Sequence, residues 1–153
     1  MLCCRRPKSS LYDIQALSMD CERLFSNFRV YKSPDTVAEF RTHVKWIMRR
    51  FMDVKYRIPD DLDDDLGKVL QRCGYLITWR ALYLEMEPTV VSQAWARIRL
   101  TIDSCANWDT YYVDYVDDLT ELEQWLDKYF TTYYERPFLK NDSDDDDDDD
   151  DDD

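Results

Sequence analysis

The stretch SPDTVAEFRTHVKWIMRRFMDVKYR, residues 33–57, decides the fold. Ser33 offers a capping hydroxyl, Pro34 suits a first helical position where its missing N–H does no harm, and Asp35 faces the positive helix end. Val37, Phe40, Val44, Ile47, Met48 and Phe51 then fall at steps of three and four, with Val54 continuing the row. That period is the signature of an amphipathic α-helix. Its other face carries Arg41, His43, Lys45, Arg49, Arg50 and Lys55, so the helix is basic.

The same spacing recurs on both sides. Upstream, with Ser9 or Ser10 as the cap, Leu11, Ile14, Leu17, Cys21, Leu24 and Phe28 form a heptad-like row. Downstream, Pro59 ends the basic helix, and Asp60, Asp61, Asp63, Asp64 and Asp65 load the start of a third, where negative charge suits the helix dipole. Leu62, Leu66, Leu70, Cys73, Ile77, Arg80 and Leu84 continue it, and Gly74 marks either a break or a close helix contact. Pro88 opens a fourth helix along Val91, Trp95, Ile98, Ile102 and Cys105. A fifth row runs through Trp108, Tyr112, Tyr115, Leu119, Leu122, Leu126, Tyr129 and Tyr133. Within it, Asp109–Val116 reads as strand or loop, and Thr120-x-x-Glu123 as a capping box that starts the helix. Only two glycines occur, and no Asn-Gly or Asp-Gly hairpin signal. The expectation is an all-α protein: a single helical bundle of four to six helices over residues 9–138, after a flexible basic N-terminus (1–8) and before a disordered acidic tail (139–153).

That tail ends in ten consecutive aspartates, represented by Asp144, Asp148 and Asp153 at its start, middle and end. Adjacent carboxylates repel and carry no apolar surface to offset chain entropy. Extended, the run spaces its charges ~3.3–3.6 Å apart, close to the ~3.4 Å of one DNA strand. The net charge is −13, but residues 1–57 hold 12 Lys/Arg against 6 Asp/Glu. A basic front and a polyanionic end suggest charged partners, or a tail that folds back on the front.

Chemistry of the enzymatic kind has no foothold. The single histidine, His43, lies among cations and reads as a surface residue, and the five scattered cysteines lack zinc-site spacing. The Asp60–Asp65 cluster lacks the glycine and terminal glutamate of a calcium loop. A glycine-rich phosphate loop is absent. No enzyme, cofactor or metal is expected. Without a secretory leader or an unbroken apolar run of ~18 residues, the expected setting is intracellular, in cytoplasm and nucleus, with free thiols.

Binding is the remaining role. Arg41, Lys45, Arg49, Arg50 and Lys55 are candidates for RNA phosphates, with Trp46 or Tyr56 stacking on bases. Arg49 and Arg50 lie off the apolar row, so their charge should be separable from the core. Cys3 and Cys4, beside Arg5, Arg6 and Lys8, are candidate acylation sites for peripheral membrane contact. Ser143 precedes the aspartates in a context suited to acidic-directed phosphorylation. Tyr111, Tyr112, Tyr115, Tyr133 and Tyr134 exceed what one helix face can hide.

Around residues 24–57, and at Tyr31-Lys32-Ser33-Pro34-Asp35-Thr36 above all, the chain resembles the precoat proteins of plant geminiviruses. The resemblance implies a suppressor of host RNA silencing that also assists viral movement. The resulting expectation is a non-enzymatic viral accessory protein that binds host proteins, with RNA contact through the basic helix face. Two alternatives stand beside it. One is a helical-bundle apoptosis regulator that holds a partner helix in an apolar groove. The other is an acidic chaperone or nucleic-acid mimic that binds basic proteins through the tail.

Overall fold

A computed structural model describes residues 8–26, 36–105 and 112–135, and among them there is no β-strand. Five α-helices follow one another: α1 (Leu11–Phe25), α2 (Val37–Tyr56), α3 (Asp63–Tyr83), α4 (Pro88–Ser104) and α5 (Tyr112–Phe130). A 3-10 turn, Asp60–Leu62, precedes α3, and a π-helical turn, Thr131–Glu135, extends α5. The all-α bundle expected from the periodicity is therefore what forms. Cys3, Cys4, Ser143 and the aspartate run, with the tail reading attached to it, lie outside the described residues.

The caps show how local sequence sets each boundary. Ser10 caps α1 in a capping box, its hydroxyl accepting from the Asp13 N–H while the Asp13 carboxylate accepts from the Ser10 N–H at 2.8 Å. Ser9, one residue earlier, is buried. Its N–H donates to the Arg57 carbonyl (2.8 Å) and its Oγ to the Val54 carbonyl (3.1 Å), tying the start of α1 to the end of α2. Helix α2 is capped by Thr36, the last residue of the Ser33–Thr36 start signal; Ser33, Pro34 and Asp35 lie outside the described residues. The Thr36 Oγ1 accepts from the Glu39 N–H at 3.1 Å, and Glu39 is the acid in the first turn. Glu87 caps α4 through the Thr89 N–H, with Pro88 at the first helical position.

Helix α5 departs further from expectation. It begins at Tyr112, not at Thr120, and residues 112–116 are helical, neither strand nor loop. Leu119 and Val116 lie about one and two turns before the buried Leu122 and pack with it and Leu126 against the core. That continuous row outweighs the β-propensity of the tyrosines and valines.

Successive helices alternate in direction, with α2 at the centre, packed against α1, α3, α4 and α5. At one end of the α1–α2 pair Ser9 meets Val54. At the other, the rings of Phe25 and Phe40 meet edge to face, 5.9 Å apart. Phe40 also meets Phe130 at 6.0 Å, which brings the end of α5 to the start of α2. Helices α1 and α3 run the same way, since Glu22 pairs with Arg72 and Ser26 accepts from Arg80. The core is the shared interior: Ile14, Leu17 and Phe25; Phe40, Val44, Ile47, Met48, Phe51 and Met52; Leu70, Cys73 and Ile77; Ile98 and Ile102; Leu122 and Leu126. Gly74 creates no break. It is buried inside an unbroken α3, facing Trp95 of α4.

Candidate docking face on α3

Helix α3 is apolar on two sides. Leu66, Leu70, Cys73, Gly74, Ile77 and Ala81 turn inward. On the outward side Tyr75, Trp79, Leu82 and Tyr83 are 62%, 74%, 46% and 63% exposed. A helix that needed only to cover the core would place polar residues there. Lys68, Arg72, Tyr75, Trp79 and Leu82 follow one another at steps of four, three, four and three, the spacing of a coiled-coil seam. Over its 21 residues α3 is ~31 Å long, so the row is a substantial surface.

Two features frame its C-terminal end. Arg80 is buried, 4% exposed, and stacks beneath Tyr83 with its guanidinium carbon 4.5 Å from the ring centroid. Its Nη2 donates to the carbonyl of Ser26 at 3.5 Å, placing a cation at the negative end of α1, while its Nε has no hydrogen-bond partner among the described residues. Tyr83 is thus backed by a fixed platform. Glu85 follows with φ 64°, the left-handed region in which a residue with a Cβ is strained and glycine is the usual helix terminator.

The predicted basic face of α2 is dispersed by the fold. Lys45 donates to Asp127 of α5 at 2.8 Å, and Arg49 grips Glu123 of α5 with two N–H groups, Nη2 to Oε1 at 3.0 Å. Arg50 pairs with Asp20 of α1, and Lys55 with Asp63 of α3 at 2.8 Å. Arg41 is half-buried in the second turn. Because α2 is central, its cations reach outward to acids on three different neighbours and form no single open row. Trp46, read as a base-stacking residue, lies under the guanidinium of Arg50 (5.2 Å) and beside that of Arg23 (5.8 Å). Tyr56 is half-buried.

His43 is half-buried rather than a surface residue. Desolvation lowers its pKa, Glu39 opposes that shift and Arg23 adds to it. Of the tyrosines expected to show, Tyr133 is 55% exposed and Tyr134 half-buried. Tyr111 and the side chains of Tyr112 and Tyr115 lie outside the described residues. Tyr129 closes this end, stacked on Trp125 at 5.0 Å and donating its hydroxyl to the Val90 carbonyl at 2.6 Å.

A cleft of ≈ 520 Å³ between α3 and α4 has a mixed-charge wall, Lys55, Asp63, Asp64, Lys68, Arg99 and Asp103. It is not the apolar groove that a partner helix needs. Among the described residues no group of histidine, cysteine or acidic side chains could hold a metal ion, and no helix is long and apolar enough to cross a membrane. No protein-family model, curated protein or solved structure matches the chain.

The α3 face was missed because one periodic row satisfies a helix. The signal was a second row, at the same spacing, on the opposite side of the same segment.

Proposed function

We propose that the chain is a non-enzymatic interaction module that acts by docking another protein on the outward face of α3. The carrying observation is the row Tyr75, Trp79, Leu82 and Tyr83, exposed on a helix whose other side is filled by the core. Large aromatics give interface energy at low entropic cost, and tryptophan and tyrosine dominate binding hot spots. A protein partner is favoured over RNA because Lys45, Arg49, Arg50 and Lys55 already hold carboxylates. A phosphate backbone would have to displace four acids supplied by the fold itself. In the setting that the precoat resemblance implies, the docked protein belongs to the host and the outcome is suppression of a defence.

Affinity capture from cells, with RNase treatment, tests this reading. Wild-type protein should retain RNase-resistant partners, and the Arg49→Gln/Arg50→Gln variant should retain the same set. Trp79→Glu, which touches only an exposed side chain, should lose them at unchanged helicity. Partners that vanish with RNase, or that survive Trp79→Glu, would overturn it.

A further inference from the structure

We infer that the protein which docks on α3 is, in the first instance, a second copy of this chain, through an antiparallel α3–α3 pair about a two-fold axis. The inference rests on the docking role of this face and names its occupant.

The seam is complementary to its own inverse. Its N-terminal half carries Lys68 and Arg72, its middle Tyr75 and Trp79, and its C-terminal end Leu82 and Glu85. Turned end for end, with Tyr75 of one copy against Trp79 of the other, the same register sets Arg72 against Leu82. It also brings Lys68 beside Glu85 of the second copy. Lys68 meets Glu85 twice, once on each side of the axis, which is the condition an isologous interface must satisfy. Antiparallel helices joined at three-four spacing interlock side chains in the same manner as a coiled coil.

Glu85 supplies an independent argument. It holds a carboxylate in a left-handed conformation where glycine would be relaxed. Strain of this kind persists where the side chain is needed, and among the described residues no hydrogen bond or ion pair engages the Glu85 carboxylate. Lys68 is exposed and, although Asp63, Asp64 and Asp103 share its cleft, it forms no ion pair among the described residues. Both are available for each other across the axis.

The surface is modest in size. Large aromatics bury ~150–250 Å² each, so four half-exposed apolar side chains and their flanks approach, without reaching, the ~800 Å² per partner of a standard interface. The pair is therefore expected to be reversible and dependent on protein concentration. The charge of −13 on each copy opposes association, and salt screens that repulsion. Salt screens the Lys68–Glu85 pairs as well, so the two effects offset and self-pairing should persist at elevated salt, whereas RNA binding would weaken steeply.

Sedimentation equilibrium of the full chain at low and elevated salt tests the pair. The expected result is a monomer–dimer equilibrium that persists at elevated salt, carried by the apolar Tyr75–Trp79 contact. Trp79→Glu and Tyr75→Glu should each be monomeric with unchanged thermal unfolding. Lys68→Glu or Glu85→Lys alone should raise the dissociation constant about tenfold, because each reversal counts twice. The double variant Lys68→Glu/Glu85→Lys should return to within about threefold of wild type. A monomeric wild type, a dimer indifferent to Trp79→Glu, or a double variant no tighter than the singles overturns the inference. If the wild type is monomeric while Trp79→Glu still loses captured proteins, the face docks other proteins and self-pairing alone is wrong. If Trp79→Glu changes neither measurement, the docking role falls with it.

Discussion

Gly74 and Trp95 claim the same space: a Cβ built on Gly74 would stand 2.5 Å from the indole Nε1 and Cε2. Gly74→Ala gains about 1 kcal/mol of helix propensity but drives a methyl into a half-buried ring. Overpacking of this kind costs ~1–3 kcal/mol. The variant should melt below wild type, with Trp95 fluorescence shifted as the ring is pushed toward water. A rise in melting temperature would show that the two helices have room to part.

Gly67→Ala, seven residues earlier on the same helix, should do the reverse. A Cβ there meets nothing within 4 Å. The full propensity term, about 0.5–1 kcal/mol, is then gained. Thermal unfolding should rise by ~2–4 °C per kcal/mol in a chain of this size. A lower midpoint would mean that Gly67 answers a constraint absent from the folded monomer.

Glu85→Gly should separate stability from association. Relief of the positive φ is worth about 1 kcal/mol, so the monomer should melt higher. Loss of the carboxylate should weaken self-pairing at the same time. Calorimetry and sedimentation on one sample read both effects, and movement of the two in the same direction would contradict the assignment.

Arg49→Glu places a carboxylate against Glu123, which is only 17% exposed, in the seam between α2 and α5. Exposed pairs contribute ~0.2–1 kcal/mol. Their reversal adds repulsion, so a loss of about 1–2 kcal/mol is expected by chemical denaturation. Arg49→Glu/Glu123→Arg should recover most of it. Equal stability of the single variant and wild type would show that the pair is not formed in solution.

Stability should fall at both ends of the pH scale, for different groups. Burial raises the Cys73 thiol, with the Cys21 side chain adding to it. Burial also raises Cys105 to about 12, Asp118 adding and Lys55 opposing. The unfolded chain releases these protons near pH 9 while the folded chain keeps them. Each thiol thus removes ~1.4 kcal/mol per pH unit as pH rises above that point. Tyr129, raised chiefly by burial and by its hydrogen bond with Tyr134, extends the loss above pH 10. His43 is shifted down, so its contribution is present above pH 6.5 and is lost as pH falls through the depressed value. Cys73→Ala/Cys105→Ala should flatten the alkaline limb and leave the acid limb unchanged.

The fold was legible because its helices announce themselves by spacing: Ile14–Leu17–Cys21, Phe40–Val44–Ile47 and Leu122–Leu126 are buried as their period requires. Boundaries were less legible. Thr36 and Ser33 are both good caps, and tertiary packing carries α5 back past Thr120 to Tyr112. The ion pairing of the basic face of α2 was hidden for a different reason. A helical projection shows which residues share a side, but not that Asp20, Asp63, Glu123 and Asp127 arrive from other helices to meet them. Three of these four pairings lie 30 to 82 residues apart in sequence and leave no local trace.

The parallel course of α1 and α3 has a consequence for synthesis. Glu22 and Arg72 are 50 residues apart. At ~5–20 residues per second the ribosome needs roughly 3–10 s to deliver that interval. Helix α1 is the first of the five to emerge, and its Asp20 side can be met early by Arg50 of α2. Its Cys21 side must wait for Cys73. During that delay the nascent chain shows an apolar helix edge with no cover of its own, a substrate for chaperones and for any oxidant that reaches Cys21 before α3 does.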